Sequence, residues 1–112
     1  MLDKSLMAGS TTMLVLNLLE QGDMYGYQMI RELEQRSEQF FSLKEGTLYP
    51  ILHGLEKDGL IKSYEMKTEQ GRPRKYYAIN DKGRRLLRDK KQEWQLFSSA
   101  VNKVMGGVRY AE

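Results

Sequence analysis

The side chains best placed to do chemistry fall into two clusters. The first lies in Glu45–Gly59, EGTLYPILHGLEKDG. Leu48, Ile51, Leu52 and Leu55 recur there at i, i+3, i+4 and i+7, the spacing of one helical face. The same helical step puts Gly46, Pro50, His53 and Lys57 on the opposite side. That outer face holds small residues, one mild hydrogen-bonding group and one cation. A face meant only for solvent usually carries more charge, whereas a slim face can approach another surface closely. The second cluster is Arg72, Arg74 and Lys75, at and just after the polar turn Thr68-Glu69-Gln70-Gly71-Arg72-Pro73. Cations on a hairpin tip beside a slim helix suit a phosphate backbone or a minor groove. Solvated charge is the plainer account of the same residues.

Other chemistries find little support. His53 is the single histidine, and no serine, aspartate or glutamate around it forms a recognisable catalytic arrangement. It reads as a base-edge or phosphate contact, or as a plain surface histidine, and an enzyme is not expected. With no cysteine there is neither a disulfide framework nor a thiolate metal site. Zinc would need a carboxylate cluster that the sequence lacks, so no metal and no cofactor are expected. Glu32, Glu34 and Glu38 accompany Arg31 and Arg36 as solvated ion pairs.

The elements that must position these clusters follow from periodicity. The 112 residues make one domain with room for a core. A net charge of +3 and a pI near 9.1 permit a nucleic-acid partner without requiring one. No apolar run reaches membrane length and no signal peptide is visible, so a soluble, cytoplasmic protein is expected. A first helix is predicted from Asp3 to Gln21. Its Leu14, Val15, Leu16, Leu18 and Leu19 are dense enough to be buried on more than one side, and one side is expected to be covered by a second copy. After Gly22-Asp23 a second helix begins near Met24 or Tyr25 and runs to about Ser37. A third helix follows Lys44, a poor N-cap, with Ser42 as the alternative if it starts early. Leu60-Ile61 opens a strand to about Met66, and a return strand runs from Arg74 to Ile79.

Asn80 is a plausible N-cap for the longest helix, Asp81 to about Met105. Leu87, Trp94, Val101 and Val108 lie seven apart, with Phe97 and Val104 between them and Lys90 interrupting. Such a heptad-like stripe is a helix-pairing surface. Leu87, Trp94, Phe97, Val101 and Val104 are therefore assigned to a homodimer interface. The basic Arg84, Arg85, Arg88, Lys90 and Lys91 read mainly as a solvated face. The expected class is mainly α with a two-stranded β-wing. A winged helix-turn-helix would occupy residues 1–79, a dimerisation helix 80–106 and a tail 107–112.

Four words of sequence carry a resemblance. Tyr25-Gly26-Tyr27 opens the second helix, and Gly46-Thr47-Leu48-Tyr49-Pro50 opens the third. Leu55-Glu56-Lys57-Asp58-Gly59-Leu60-Ile61 leaves the third, and Gly71-Arg72-Pro73-Arg74-Lys75-Tyr76-Tyr77 forms the wing. In this order the chain resembles the PadR family of bacterial transcriptional regulators over nearly its whole length. The resemblance implies a homodimeric repressor on double-stranded DNA, reading a pseudo-palindromic operator with its third helix. Lys44, Lys57, Arg72, Arg74 and Lys75 would then contact phosphates, and Thr47, Tyr49, Pro50 and His53 would meet base edges or sugars. The shorter members include multidrug-sensing repressors whose last helix carries a tryptophan where Trp94 stands. That likeness implies a planar aromatic ligand at the dimer interface, with Leu6, Met13, Asn17, Trp94 and Ser98 around it; Trp94 as interface packing is the simpler alternative. Two rivals are a winged helix that binds protein and a drug-binding protein without regulatory DNA binding.

Overall fold

A computed structural model describes residues 4–106, with side chains described from Ser10. The elements run α1 Lys4–Gln21, β1 Met24–Tyr25, α2 Gly26–Arg36, α3 Glu45–Lys57, β2 Ile61–Lys67, β3 Pro73–Ile79 and α4 Asp81–Val104. The strands form one antiparallel sheet in the order β1-β3-β2. The helical core on its inner face includes Leu16, Leu19, Met29, Leu48, Leu52, Tyr77 and Leu87, each essentially without exposure.

The apolar density of α1 is satisfied within one chain. Val15, Leu16, Leu18 and Leu19 are all buried, and Leu14 is partly buried against the core. A second copy is not needed to cover them. α3 ends as its residues dictate: Gly59, at φ +75°, takes the left-handed position past the helix end, where a side chain would be strained. The Leu60 N–H bonds the Leu55 carbonyl at 3.0 Å, closing that turn. Asn80 caps α4 as expected, its side chain accepting from the Gly83 N–H at 2.9 Å. Its amide also donates to the Gly59 carbonyl at 2.7 Å, so one side chain joins the end of α3 to the start of α4.

Two features differ from the expectations above. Met24 and Tyr25 are a strand, not the opening of α2: they pair with Tyr77 and Tyr76 of β3. Two residues are too few to show a period, and their partners lie some fifty positions away. Ser42 does not cap α3, because its hydroxyl donates to Glu34 Oε2 at 3.1 Å. Lys44 is the N-cap and makes no side-chain cap bond. Between α2 and α3, Glu38 and Gln39 adopt φ of 53° and 68° without a glycine. Hydrogen bonds hold that turn: Gln39 N–H to the Glu34 carbonyl at 2.7 Å and Phe41 N–H to Ser37 Oγ at 2.8 Å.

Candidate nucleic-acid interface

α3 turns Leu48, Leu52 and Leu55 into the core and leaves Gly46, Thr47, Pro50, His53 and Lys57 exposed. Pro50 lies in its second turn. It has no N–H to give the Gly46 carbonyl, so that acceptor stays available on the slim face. Lys44 is exposed at the helix start. The start of α3 has no side-chain cap; its Thr47 and Leu48 amides bond the Lys44 carbonyl at 3.0 Å, and the Glu45 carboxylate sits in the first turn at the positive end of the helix dipole.

Tyr49 lies beside His53, their ring centroids 6.4 Å apart, but is turned partly inward. Its ring is half-buried, and its hydroxyl end packs against the backbone of Gly26, where a Cβ would collide with it. Burial, with the Glu45 carboxylate second, raises its hydroxyl pKa above the usual value of 10.0. The ring props α3 against the start of α2 instead of standing out as a base contact. Gly26 is therefore a site of close approach.

The wing turn is closed by Thr68, whose N–H bonds the Arg72 carbonyl at 2.8 Å and whose hydroxyl accepts from the Arg72 N–H at 3.2 Å. Alternation along β3 then divides the cations. Tyr77 and Ile79 face the core, and opposite Tyr77 the Ser63 hydroxyl donates to Glu56 Oε2 of α3 at 2.6 Å. Lys75 shares this inner, α3-side face; its charge acts on the Tyr49 hydroxyl, and its Nζ lies 5.6 Å from the Tyr77 ring centroid. Arg74 points to the outer face, with its Cζ 4.1 Å from the Tyr25 ring centroid. Arg72 is exposed at the tip. The three cations, contiguous in sequence but for Pro73, are thus not one cluster, and strand alternation is the signal that separates them.

On α4, only Gly83 and Leu87 are buried. Leu87 is a correction: fully enclosed in its own subunit's core, it has no surface left for a partner. The rest of the stripe is open, with Trp94 50%, Phe97 61%, Val101 39% and Val104 87% exposed. Val108 lies outside the described residues. A cavity of about 260 Å³ is lined by Met13, Lys90, Glu93, Trp94 and Phe97. It brings together Met13 and Trp94 of the expected ligand set. Asn17 and Ser98 are half-buried and do not line it, Ser98 Oγ bonding instead to the Gln95 carbonyl at 3.3 Å. The side chain of Leu6 lies outside those described. Lys90 and Phe97 stand at i−4 and i+3 from Trp94, so their place beside it was legible in the sequence; Glu93, its immediate neighbour, carried no such signal.

A family model described as the transcriptional regulator PadR-like family matches residues 15–89. The chain belongs to the PadR-like family of transcriptional regulators. The crystal structure of a PadR-like transcriptional regulator from Bacillus cereus matches with a TM-score of 0.81 at 32% identity, covering 93% of this chain and 99% of that one. Transcriptional regulator Rv3488 of Mycobacterium tuberculosis is 30% identical over 93 residues, 83% of this chain and 80% of that protein. The negative transcriptional regulator PadR of Bacillus subtilis is 29% identical over 75 residues, 67% of this chain and 41% of that protein. The chain is thus a DNA-binding winged helix in a family of transcriptional regulators. Among the described residues no helix is long and apolar enough to cross a membrane.

Proposed function

We propose that this PadR-like protein is a homodimeric repressor that binds a pseudo-palindromic operator and is released by a small planar aromatic ligand. The observation that carries the reading is the open stripe Trp94, Phe97, Val101 and Val104 on α4. Side chains of this size gain about 1.5–3 kcal/mol each on full burial. A symmetric partner offering the same stripe would supply that burial and duplicate α3. The two copies of α3 would then enter successive major grooves, roughly 34 Å apart. Lys44, Lys57, Arg72, Arg74 and Lys75 would contact phosphates, and Thr47, Pro50 and His53 would approach the bases. The negative regulator of Bacillus subtilis named above supports the repressor assignment.

Met13, Trp94 and Phe97 make one half of a ligand slot. Two half-sites of about 260 Å³ facing each other would give roughly 500 Å³, within the usual range of about 300–1,000 Å³ for small-molecule pockets. A ligand wedged there would change the angle between subunits and weaken operator binding only through a difference in affinity between the two arrangements. Selection of bound fragments from random duplex DNA, with and without a panel of planar aromatics, tests the reading. A palindromic consensus depleted by one of the aromatics is expected. Recovery of no consensus would overturn operator recognition, and a consensus insensitive to every aromatic would overturn release. Arg72→Ala with Arg74→Ala should also flatten the salt dependence of duplex binding by about 0.9 per lost phosphate contact. An unchanged slope would favour a protein partner for the wing.

A further inference from the structure

The outer face of the sheet takes no part in the reading surface of α3, yet it is not an ordinary solvated face. Tyr64 of β2 and Tyr25 of β1 both stand opposite Tyr76 of β3 in register. The three rings form a row across all three strands. Tyr64 stacks on Tyr76 at 5.8 Å and 16°, and Tyr76 meets Tyr25 edge-on at 5.5 Å and 75°. The row closes on itself: the Tyr64 hydroxyl donates to Asp23 Oδ2 at 2.7 Å, two residues before Tyr25. The base of the hairpin therefore cannot swing against the start of α2 without breaking a ring contact or this hydrogen bond. At the end of the row Arg74 lies over the Tyr25 face, 4.1 Å from its centroid.

We propose that Tyr25 is a positioning residue for Arg74, holding its guanidinium at one fixed place on the wing so that it meets a backbone phosphate already ordered. The inference rests on the phosphate contact proposed above for Arg74. A free arginine gives up much rotamer freedom when it binds, and one pre-ordered on a ring gives up less. A planar guanidinium can lie flat on an aromatic face and still present its edge N–H groups to phosphate oxygens. Lysine, a point charge on a flexible stem, cannot do both. The tyrosine row supplies the rigidity, since the ring that holds Arg74 belongs to the body of the domain while Arg74 belongs to the hairpin.

Phosphate contacts are independent of sequence, so a fluorescein-labelled duplex of mixed sequence serves as the probe. Anisotropy titrations between about 50 and 200 mM salt compare the protein with Y25F, Y25L, R74K, R74Q and Y25L/R74Q. R74Q is expected to weaken binding and lower the salt slope by about 0.9. Y25L is expected to weaken binding about two- to five-fold, the worth of an exposed cation–π contact, with the slope unchanged. In the R74Q background Y25L should add nothing, and Y25F should bind within about two-fold of the parent. R74K, which leaves every tyrosine in place, should fall to the level of Y25L; it carries the test should Y25L fail to fold. Full additivity of Y25L and R74Q, or parent-level binding by R74K, would overturn the positioning role alone. Parent affinity and slope in R74Q would instead overturn the phosphate contact, and the inference with it.

Discussion

Gly26→Ala should loosen the joint between α2 and α3, and the structure sets the size of the effect. A Cβ at this position would collide with the ring end of Tyr49, so either the ring swings out or the helices part. An aromatic side chain buries about 150–250 Å² when enclosed. For a half-buried ring, displacement gives up roughly 100 Å², or about 2.5 kcal/mol at 25 cal/mol per Å². The better helix propensity of alanine returns less than about 1 kcal/mol. The net loss of roughly 1.5–2.5 kcal/mol lowers Tm by roughly 6–11 °C for a chain of this size. Thermal unfolding followed by circular dichroism reads it, with Tyr49→Leu as the second arm of a double-mutant cycle. If Tyr49 is the obstacle, Gly26→Ala costs little once that ring is gone. An unchanged Tm in the single variant, or the same loss in the Tyr49→Leu background, would refute the reasoning. Duplex binding should weaken in parallel, because the contact sets how α3 leans on α2.

Other perturbations test separate parts of the account. Burial raises the pKa of Tyr77 and Tyr49 above 10.0, so the folded state holds those protons more tightly than the unfolded chain. That stability is full below about pH 10 and is lost as pH climbs through it, and Tyr77→Phe should flatten the alkaline fall in Tm; an equally steep fall in the variant would count against it. Asn80→Ala removes both the cap bond to Gly83 and the bond to Gly59; a loss of about 1–2 kcal/mol, or roughly 4–10 °C in Tm, is expected from calorimetry. Phe97→Asp, at a position 61% exposed, should leave Tm nearly unchanged in the isolated subunit while light scattering reports a halved mass. A dimer that survives the substitution would remove α4 from the interface.

How much could be read from the chain depended on whether the deciding contact was local. α3 was legible because Leu48, Leu52 and Leu55 repeat on one face and Gly59 marks the stop, and Asn80 announced α4 for the same reason. β1 was not legible: what makes Met24 and Tyr25 a strand is pairing with Tyr77 and Tyr76, a tertiary fact. Leu87 shared the heptad spacing of Trp94 and Val101, yet the chain folds over the first half of α4 and leaves the second half bare. A repeat marks a face as apolar without saying which molecule covers it. The family likeness grouped Tyr49 with the base-facing residues, and no helical step could show that glycine at position 26 leaves room for its ring. Arg74 and Lys75 are adjacent and alike in charge, and only the strand assignment sends them to opposite faces.

The claim on which the functional account stands is that two α3 helices address one site through pairing of α4. Hydroxyl-radical footprinting of a selected duplex at saturating protein, with mass measured on the same complex, addresses it directly. The account predicts two subunits per duplex and two protected patches about one DNA turn, roughly 34 Å, apart. A single protected patch bound by one subunit would contradict it.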